Sequence, residues 1–215
     1  MQMKKDSRFL NLYFNLLQKY GKQNWWPLIE KGKVVYKKRK QLNEKEKFEI
    51  MVGAILTQNT SWKNVEKALL NLYKENLLDI NKILKADNKI LEEKIKCSGY
   101  YRQKVKKLKA LAEFLKKNNI GELEKMHKEE LREKLLGIYG VGKETADSIL
   151  LYAFNKPIFI VDAYTRKLFA NLGIIKGNEN YDEIRILVER NFPKSVEMLK
   201  EFHALIVANG KQKRN

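Results

Sequence analysis

Residues 135–146 read LLGIYGVGKETA, and this segment decides the fold. A leucine-rich helix ends near Gly137, a turn with Gly140 and Gly142 follows, and a second helix begins near Lys143. Glycines at these two positions permit positive φ angles and a close approach of the backbone. The N–H groups of the turn and of the following helical turn can bind a phosphate, to which Lys143 adds charge. An ordinary tight turn between two helices is the alternative interpretation.

An acidic residue follows an apolar run further along the chain. The run is Ile158–Val161, and Asp162 comes directly after it, 18 residues beyond Glu144. Such an acid is either the N-cap of the next helix or a carboxylate with a chemical role. Its position after the glycine turn favours the chemical role. The run itself is short and lies among helices, so an extended connector is expected there rather than a strand.

Helical periodicity extends through most of the chain. A first amphipathic helix carries its apolar residues on one face: Phe9, Tyr13, Leu16, Leu17 and Tyr20. Asn43 with Glu46 has the spacing of a capping box at the start of another helix. No segment shows the regular apolar and polar alternation of a strand. The sequence therefore predicts an all-α protein with about ten helices.

Composition and charge limit the function classes. The chain has 215 residues, 44% of them apolar, and a formal net charge of +18, which suits a polyanionic partner such as DNA or RNA. A general abundance of lysine is the alternative. The single cysteine, Cys97, excludes an intramolecular disulfide and an all-cysteine metal site. Without an apolar run of membrane-spanning length or a secretory signal, a soluble cytoplasmic protein is expected, nucleoid-associated if prokaryotic.

Three segments together resemble the helix-hairpin-helix DNA glycosylase superfamily, in its endonuclease III branch. They are AILTQNT at 54–60, GVGKETA at 140–146 and AFNKPIFIVDAYTRKLFANLGI at 153–174, and the similarity runs from about Phe48 to Leu172. The resemblance implies two helical domains with a DNA-binding cleft between them. It implies one discontinuous domain, residues 1–40 plus 135–215, and a central helical bundle, residues 41–134.

The resemblance also implies roles for individual residues. Asp162 falls on the catalytic aspartate, whose carboxylate stabilises positive charge on the sugar and orients or deprotonates the attacking water. Gln58, and less directly Asn59, falls where the family fills the gap left by an extruded nucleotide. The remaining expected DNA contacts lie in the hairpin: Gly140, Val141, Gly142, Lys143 and Thr145.

Two departures from the family pattern narrow the expected activity. Bifunctional members carry a Schiff-base lysine where this chain has Glu144, and Lys143, one step earlier on the helix, is turned away by ~100°. Many relatives bind an iron–sulfur cluster through four cysteines, which this chain does not contain. A glycosylase without AP-lyase activity and without a cluster is therefore expected. No metal held by side chains is expected, although hairpins of this family can bind a monovalent cation through main-chain oxygens.

The cluster-free branch that removes 3-methyladenine and related alkylated purines is the most similar. Its members combine a Trp-Trp-Pro segment with an aromatic residue after TQNT, here Trp25-Trp26-Pro27 and Trp62. Two such rings could stack on both faces of a cationic purine, and the alternative is that these tryptophans belong to the core. The other pocket candidates are Glu144, which could limit neutral bases or orient water, and Lys211.

Several basic and imidazole side chains allow two interpretations. His203 lies on an apolar helix and is expected to be a packed histidine rather than a ligand. Lys211 either matches a pocket lysine of the alkylpurine branch or belongs to a solvated basic tail. Lys104 and Lys106, which follow a glycine turn, are expected near the DNA backbone.

Together these features predict a monofunctional DNA glycosylase. It would act as a monomer on double-stranded DNA with a damaged base and excise alkylated purines of the 3-methyladenine type in base excision repair. A first alternative is a glycosylase, or glycosylase and AP lyase, for oxidised or deaminated bases such as 8-oxoguanine, oxidised pyrimidines, or U or T in mismatches. A second alternative is a non-catalytic helix-hairpin-helix DNA-binding protein.

Overall fold

The computed structural model describes residues 7–39 and 41–212 and is mostly helical. The prediction of an all-α protein is confirmed, with twelve α-helices in the described residues. In chain order the elements are α1 Ser7–Tyr20, β1 Leu28–Glu30, β2 Lys33–Val35, α2 Glu44–Leu56, α3 Trp62–Lys74, α4 Ile80–Lys85, α5 Asn88–Ile95, a 3-10 turn Lys96–Ser98, α6 Tyr101–Lys117, α7 Ile120–Lys125, α8 Lys128–Leu136, α9 Lys143–Tyr152, α10 Ala163–Asn171, α11 Tyr181–Asn191 and α12 Val196–Gln212.

Local sequence signals account for several of the helix ends. The capping box predicted before α2 is present: the Asn43 side chain accepts from the Glu46 N–H, and the Glu46 carboxylate accepts from the Asn43 N–H. The segment Ile158–Val161 is an extended connector, as expected, and α10 begins directly after Asp162. The small antiparallel sheet of β1 and β2 was not predicted.

The described residues up to Trp25 and those from Asn155 onward form one compact unit. It contains α1, α10, α11 and α12, and α12 packs against both α1 and α10. Aromatic rings fill its core through stacked, tilted and edge contacts. The buried phenylalanines of this cluster are Phe9, Phe159, Phe169, Phe192 and Phe202.

The second compact unit runs from Trp26 to Phe154 and contains the sheet and helices α2 to α9. Its central element is α2, in which ten of 13 residues are buried and which packs against α3, α6 and α9. The TQNT segment follows the end of α2 directly, so the burial of this helix gives the loop a rigid support.

The compact units divide after Trp25 and after Phe154, whereas the sequence predicted domain boundaries near residues 40 and 135. The sheet and the hairpin helices α8 and α9 therefore pack with the central segment. Compact packing and division into functional domains are different properties, so the predicted domain boundaries stay a prediction. Among the described residues, no helix combines the length and apolar character needed to span a membrane.

Candidate functional site

The turn between α8 and α9 places its two glycines in different conformations. Gly140 has a φ of +81°, as predicted, and an added Cβ would overlap the aliphatic chain of Lys107. Gly142 has a φ of −90° and a ψ of 179°, so it does not adopt the positive φ that a glycine permits. The reason is that Gly142 is the N-cap of α9, and an N-cap residue adopts extended backbone open to any residue.

The start of α9 presents backbone rather than side chains. Gly142 cannot cap the helix with a side chain, and no atom outside residues 141–143 lies within 4 Å of the Cβ it lacks. Lys143 and Glu144 are exposed, whereas the side chains of Val141 and Thr145 are buried. Any ligand of Val141 or Thr145 would therefore be bound by their main chain. A positive helix terminus with an open approach and an adjacent lysine is suited to an anion.

An ion pair joins the two helices of the hairpin. The Arg132 guanidinium on α8 donates from Nε to Oδ1 of Asp147 at 2.6 Å and from Nη2 to Oδ2 at 3.2 Å. The Asp147 side chain on α9 is fully buried. Bidentate geometry fixes the relative orientation of its partners, so this pair sets how α8 and α9 meet. Neither residue was predicted from the sequence.

Gln58 is bound to the hairpin by both ends of its amide. Its Nε2 donates to the Gly140 carbonyl oxygen at 3.0 Å and to Thr145 Oγ1 at 2.9 Å. Its Oε1 accepts a hydrogen bond from Lys107 Nζ. The structure thus brings the predicted Gln58 and hairpin residues together, while Asn59 is exposed with a φ of +53°. The role of Gln58 in filling a gap in DNA stays a prediction.

Lys104 does not face solvent. It is 1% exposed, and its Nζ donates to the carbonyl oxygens of Leu56 at 2.8 Å and Ser98 at 2.7 Å. Burial, together with the charge of Lys107, lowers its pKa to about 8. The expectation that Lys104 contacts the DNA backbone is therefore wrong, because the side chain is committed to the carbonyl end of α2. Lys106 is exposed, and its contact with the DNA backbone stays a prediction.

Trp26 and Trp62 meet from separate segments, as predicted, but their rings are perpendicular. Their centroids are 5.0 Å apart with an interplanar angle of 88°, and the residues are 7% and 8% exposed. Trp26 also contacts Tyr152 edge-on. Perpendicular rings cannot hold a flat base between them, so this pair does not form the expected sandwich. Both tryptophans are buried, in agreement with the alternative that they belong to the core.

The indole N–H of Trp62 donates hydrogen bonds to two residues that were not predicted from the sequence. Trp62 Nε1 donates to Tyr36 Oη at 2.7 Å and to Glu66 Oε1 at 3.0 Å, and the Tyr36 hydroxyl donates to the same Glu66 oxygen at 2.6 Å. Burial raises the pKa of Tyr36 most, and the neighbouring Glu66 raises it further. The Tyr36 hydroxyl therefore keeps its proton at neutral pH. The ring orientation of Trp62 is therefore fixed from outside the pair.

Trp25 and Lys211 contact each other in the first unit. Lys211 Nζ lies 5.7 Å from the centroid of the half-buried Trp25 ring, within cation–π distance. Lys211 lies on α12, which continues to Gln212. Lys211 is exposed and lies beside an aromatic ring, so its role in a base pocket stays a prediction.

Asp162 uses its two carboxylate oxygens differently. Oδ1 accepts the Thr165 N–H at 2.7 Å and caps α10, while Oδ2 lies 3.5 Å from His203 Nε2. The side chain is 12% exposed. Burial by itself raises the pKa of Asp162, but the nearby His203 imidazole and the hydrogen bond from the Thr165 N–H outweigh it and hold the pKa below its ordinary value. The carboxylate is therefore ionised at neutral pH, and the cap leaves one oxygen for another task.

This hairpin with its downstream acid agrees with the comparison of the chain with known families. A family model described as "HhH-GPD superfamily base excision DNA repair protein" matches residues 52–194. The chain belongs to the HhH-GPD superfamily.

Known proteins are similar to the chain over nearly its full length. The "Putative DNA repair glycosylase MJ1434" of Methanocaldococcus jannaschii is 46% identical over 216 aligned residues, which cover 99% of this chain and 91% of that protein. The solved structure of the Helicobacter pylori 3-methyladenine DNA glycosylase MagIII bound to 1,N6-ethenoadenine has a TM-score of 0.76 at 29% identity, covering 96% and 97% of the two chains. A non-covalent endonuclease III–DNA complex shares the fold, with a TM-score of 0.74 at 18% identity over 95% and 85%.

The cysteine content of this HhH-GPD protein does not fit a four-cysteine cluster. Cys97 is its single cysteine, and the Cys97 thiol lies 3.6 Å from the Asn64 carbonyl oxygen. Within residues 7–39 and 41–212, no group of three or more His, Cys, Asp or Glu side chains is placed to hold a metal ion. A monovalent cation at the hairpin main chain stays a prediction.

Proposed function

We propose that the chain is a monofunctional DNA glycosylase that hydrolyses the N-glycosidic bond of alkylated purines of the 3-methyladenine class. The observation that carries the proposal is the ionised, largely buried Asp162 carboxylate, of which only Oδ1 is committed to capping α10. The Helicobacter pylori relative named as a 3-methyladenine DNA glycosylase supports the same substrate class.

Asp162 Oδ2 would act on the sugar. As the base departs with the electrons of the glycosidic bond, positive charge develops on the deoxyribose, and a fixed carboxylate stabilises that charge. A water molecule then adds to the anomeric carbon and gives its proton to the carboxylate. An alkylated purine is a suitable substrate because it is already cationic and leaves as a neutral base, so its departure needs no proton from the protein.

The hairpin would hold the DNA backbone. The α9 terminus is open at Gly142 and Lys143 is exposed beside it, and such contacts bind phosphate without reading sequence. The net charge of +18 supports this partner. The bonds of Gln58 to Gly140 and Thr145 would connect hairpin contacts to the loop proposed to fill the duplex.

Glu144 supports hydrolysis rather than strand cleavage. It lies exposed in the first turn of α9, where bifunctional relatives have a lysine, and a carboxylate cannot form a Schiff base with the sugar. We propose the absence of AP-lyase activity on this ground.

A panel of duplexes tests the proposal. Each duplex would contain one methylated, oxidised or deaminated base, and base release would be measured at saturating protein. We expect release of 3-methyladenine by the wild type and none by Asp162→Asn, which keeps a good N-cap residue and should bind DNA as the wild type does. Full activity of Asp162→Asn, or binding without release by the wild type, would contradict the proposal.

A second candidate is excision of oxidised or deaminated neutral bases, because one argument for a cationic base is weakened. The perpendicular Trp26 and Trp62 rings do not offer parallel faces for a cationic base, which weakens the stacking argument for alkylated purines. Borohydride reduction in the presence of abasic DNA separates a lyase version of this candidate, because it traps a Schiff base as a covalent adduct. We expect no adduct.

A further inference from the structure

The second oxygen of Asp162 has a polar neighbour on another helix. His203 belongs to α12, which packs against α10, and its Nε2 lies 3.5 Å from Asp162 Oδ2. Since Oδ1 is fixed by the Thr165 N–H, the plane of the carboxylate has little freedom, and His203 faces the oxygen that the cap does not use.

His203 is an unusual residue in its surroundings. It is buried on α12 among Phe202, Ala204 and Leu205, all of which belong to the core. Burying an imidazole costs free energy unless the ring interacts with a polar group. The nearby carboxylate is such a group.

We infer that His203 is a positioning residue that holds Asp162 Oδ2 in its reactive orientation through an N–H at Nε2. The inference rests on the proposed function, since it assigns Oδ2 to the reaction. A separation of 3.5 Å is long for a hydrogen bond, and such contacts often shorten when a substrate is bound.

The groups that act on the Asp162 carboxylate come from two helices. His203 on α12 contributes its imidazole, and Thr165 on α10 contributes its backbone N–H; both favour the ionised form of the carboxylate. Removing His203 therefore leaves the burial of Asp162 opposed by Thr165 alone. The carboxylate should then take up a proton at a higher pH.

Substitutions at 203 separate positioning from packing. His203→Leu keeps an apolar volume but removes the N–H. His203→Gln keeps an amide N–H at a similar reach, whereas His203→Asn is polar but one methylene shorter. His127→Leu is the matched control, because His127 is exposed at the start of α8 and is the other histidine of the chain.

The first experiment measures single-turnover release of 3-methyladenine across pH, together with affinity for an abasic-site duplex. We expect His203→Leu and His203→Asn to release the base about 10- to 100-fold more slowly, with an acid limb moved to higher pH and unchanged affinity. His203→Gln should restore most of the rate. A wild-type rate and acid limb in both His203→Leu and His203→Asn would overturn the inference, as would equal losses in all three variants.

The second experiment does not depend on activity. The titration of the Asp162 carboxyl group is followed by carbon-13 NMR in the free wild type, His203→Asn and His127→Leu. We expect a higher Asp162 pKa in His203→Asn only, and an unchanged value would overturn the inference. If the wild type releases no alkylated purine, the proposed function fails, while this titration still decides whether His203 acts on Asp162.

Discussion

The Lys107 ammonium group donates a hydrogen bond to the side-chain oxygen of Gln58, 2.5 Å away. The aliphatic chain of the same lysine occupies the space where a Cβ at Gly140 would lie. One side chain of α6 thus contacts both the loop after α2 and the turn between α8 and α9. If Gln58 enters a duplex, it must first exchange its three hydrogen bonds within the protein for contacts with DNA.

Removal of the Gln58 amide tests this arrangement. We expect Gln58→Ala to lower the free energy of unfolding by about 1 to 2 kcal/mol, because three partly buried hydrogen bonds are lost. Base release should fall more than affinity for intact duplex. Gln18→Ala, at an exposed position of α1, is the control. A stability loss equal to that of Gln18→Ala would show that the bonds do not support the hairpin.

The Arg132–Asp147 pair predicts a larger effect on stability. Arg132→Met should lower the free energy of unfolding by about 3 kcal/mol, because the fully buried Asp147 carboxylate loses its guanidinium. Chemical denaturation measures this change. Lys37→Met, which removes an exposed ion pair with Glu30, should have a much smaller effect. Similar losses of stability in the two variants would contradict the conclusion that the Arg132–Asp147 pair holds α8 and α9 together.

Glu49 predicts a pH dependence of stability. Burial raises its pKa to about 7 despite the opposing Ile29 N–H and Arg39. The folded state therefore binds this proton more tightly than the unfolded state, and the free energy of unfolding falls as pH rises from about 4.5 to about 7. The contribution is up to about 3 kcal/mol.

Glu49→Gln should lose less stability than the wild type across that pH range, since it keeps an oxygen for the Ile29 N–H and cannot ionise. Urea unfolding at pH 5 and pH 8 measures the difference. Glu113→Gln, at an exposed position of α6, should follow the wild type. The same pH dependence in Glu49→Gln and wild type would show that Glu49 ionises without cost in the folded protein.

Gly142→Ala separates folding from DNA binding at the hairpin. The free protein has room for a methyl group at 142 and a backbone conformation that alanine adopts, so stability should change by less than about 1 kcal/mol. Affinity for duplex DNA should fall about 10-fold or more, because the methyl group would lie between the backbone and a phosphate. Gly137→Ala, outside the helix start, should bind normally. Normal binding by Gly142→Ala would exclude a close approach there.

Features encoded within a few neighbouring residues were predictable. The helix break at 137–142, the capping box at Asn43 and a helix that begins after Asp162 each follow from local spacing, and the structure has all three. The sheet was missed because its three-residue strands are too short to show alternation. Its two-residue turn, Lys31-Gly32, has positive φ at both positions. A glycine between the apolar pairs Leu28-Ile29 and Val34-Val35 was the sequence signal that could have predicted this hairpin.

Features that depend on the packing of distant segments were not predictable. His203 meets Asp162 across 41 residues, and no local pattern on α12 marks it as the neighbour of an acid. Likewise, the resemblance to the alkylpurine branch led to the expectation that tryptophans of these two segments meet, but it gave no sign of the 88° angle between the rings or of the hydrogen bonds that Trp62 donates to Tyr36 and Glu66. Lys104 was assigned to the surface because its charge gave no sign of the two carbonyl groups it binds.

The double use of Asp162 has a consequence for protein engineering. Because one oxygen starts α10 and the other faces α12, a single substitution cannot transplant this acid into an inert scaffold. A recipient protein would need an extended segment like Ile158–Val161, the first turn of the following helix, and a neighbouring helix that places an imidazole as α12 places His203. Redesign of enzymes with this hairpin should therefore exchange that whole assembly as a cassette.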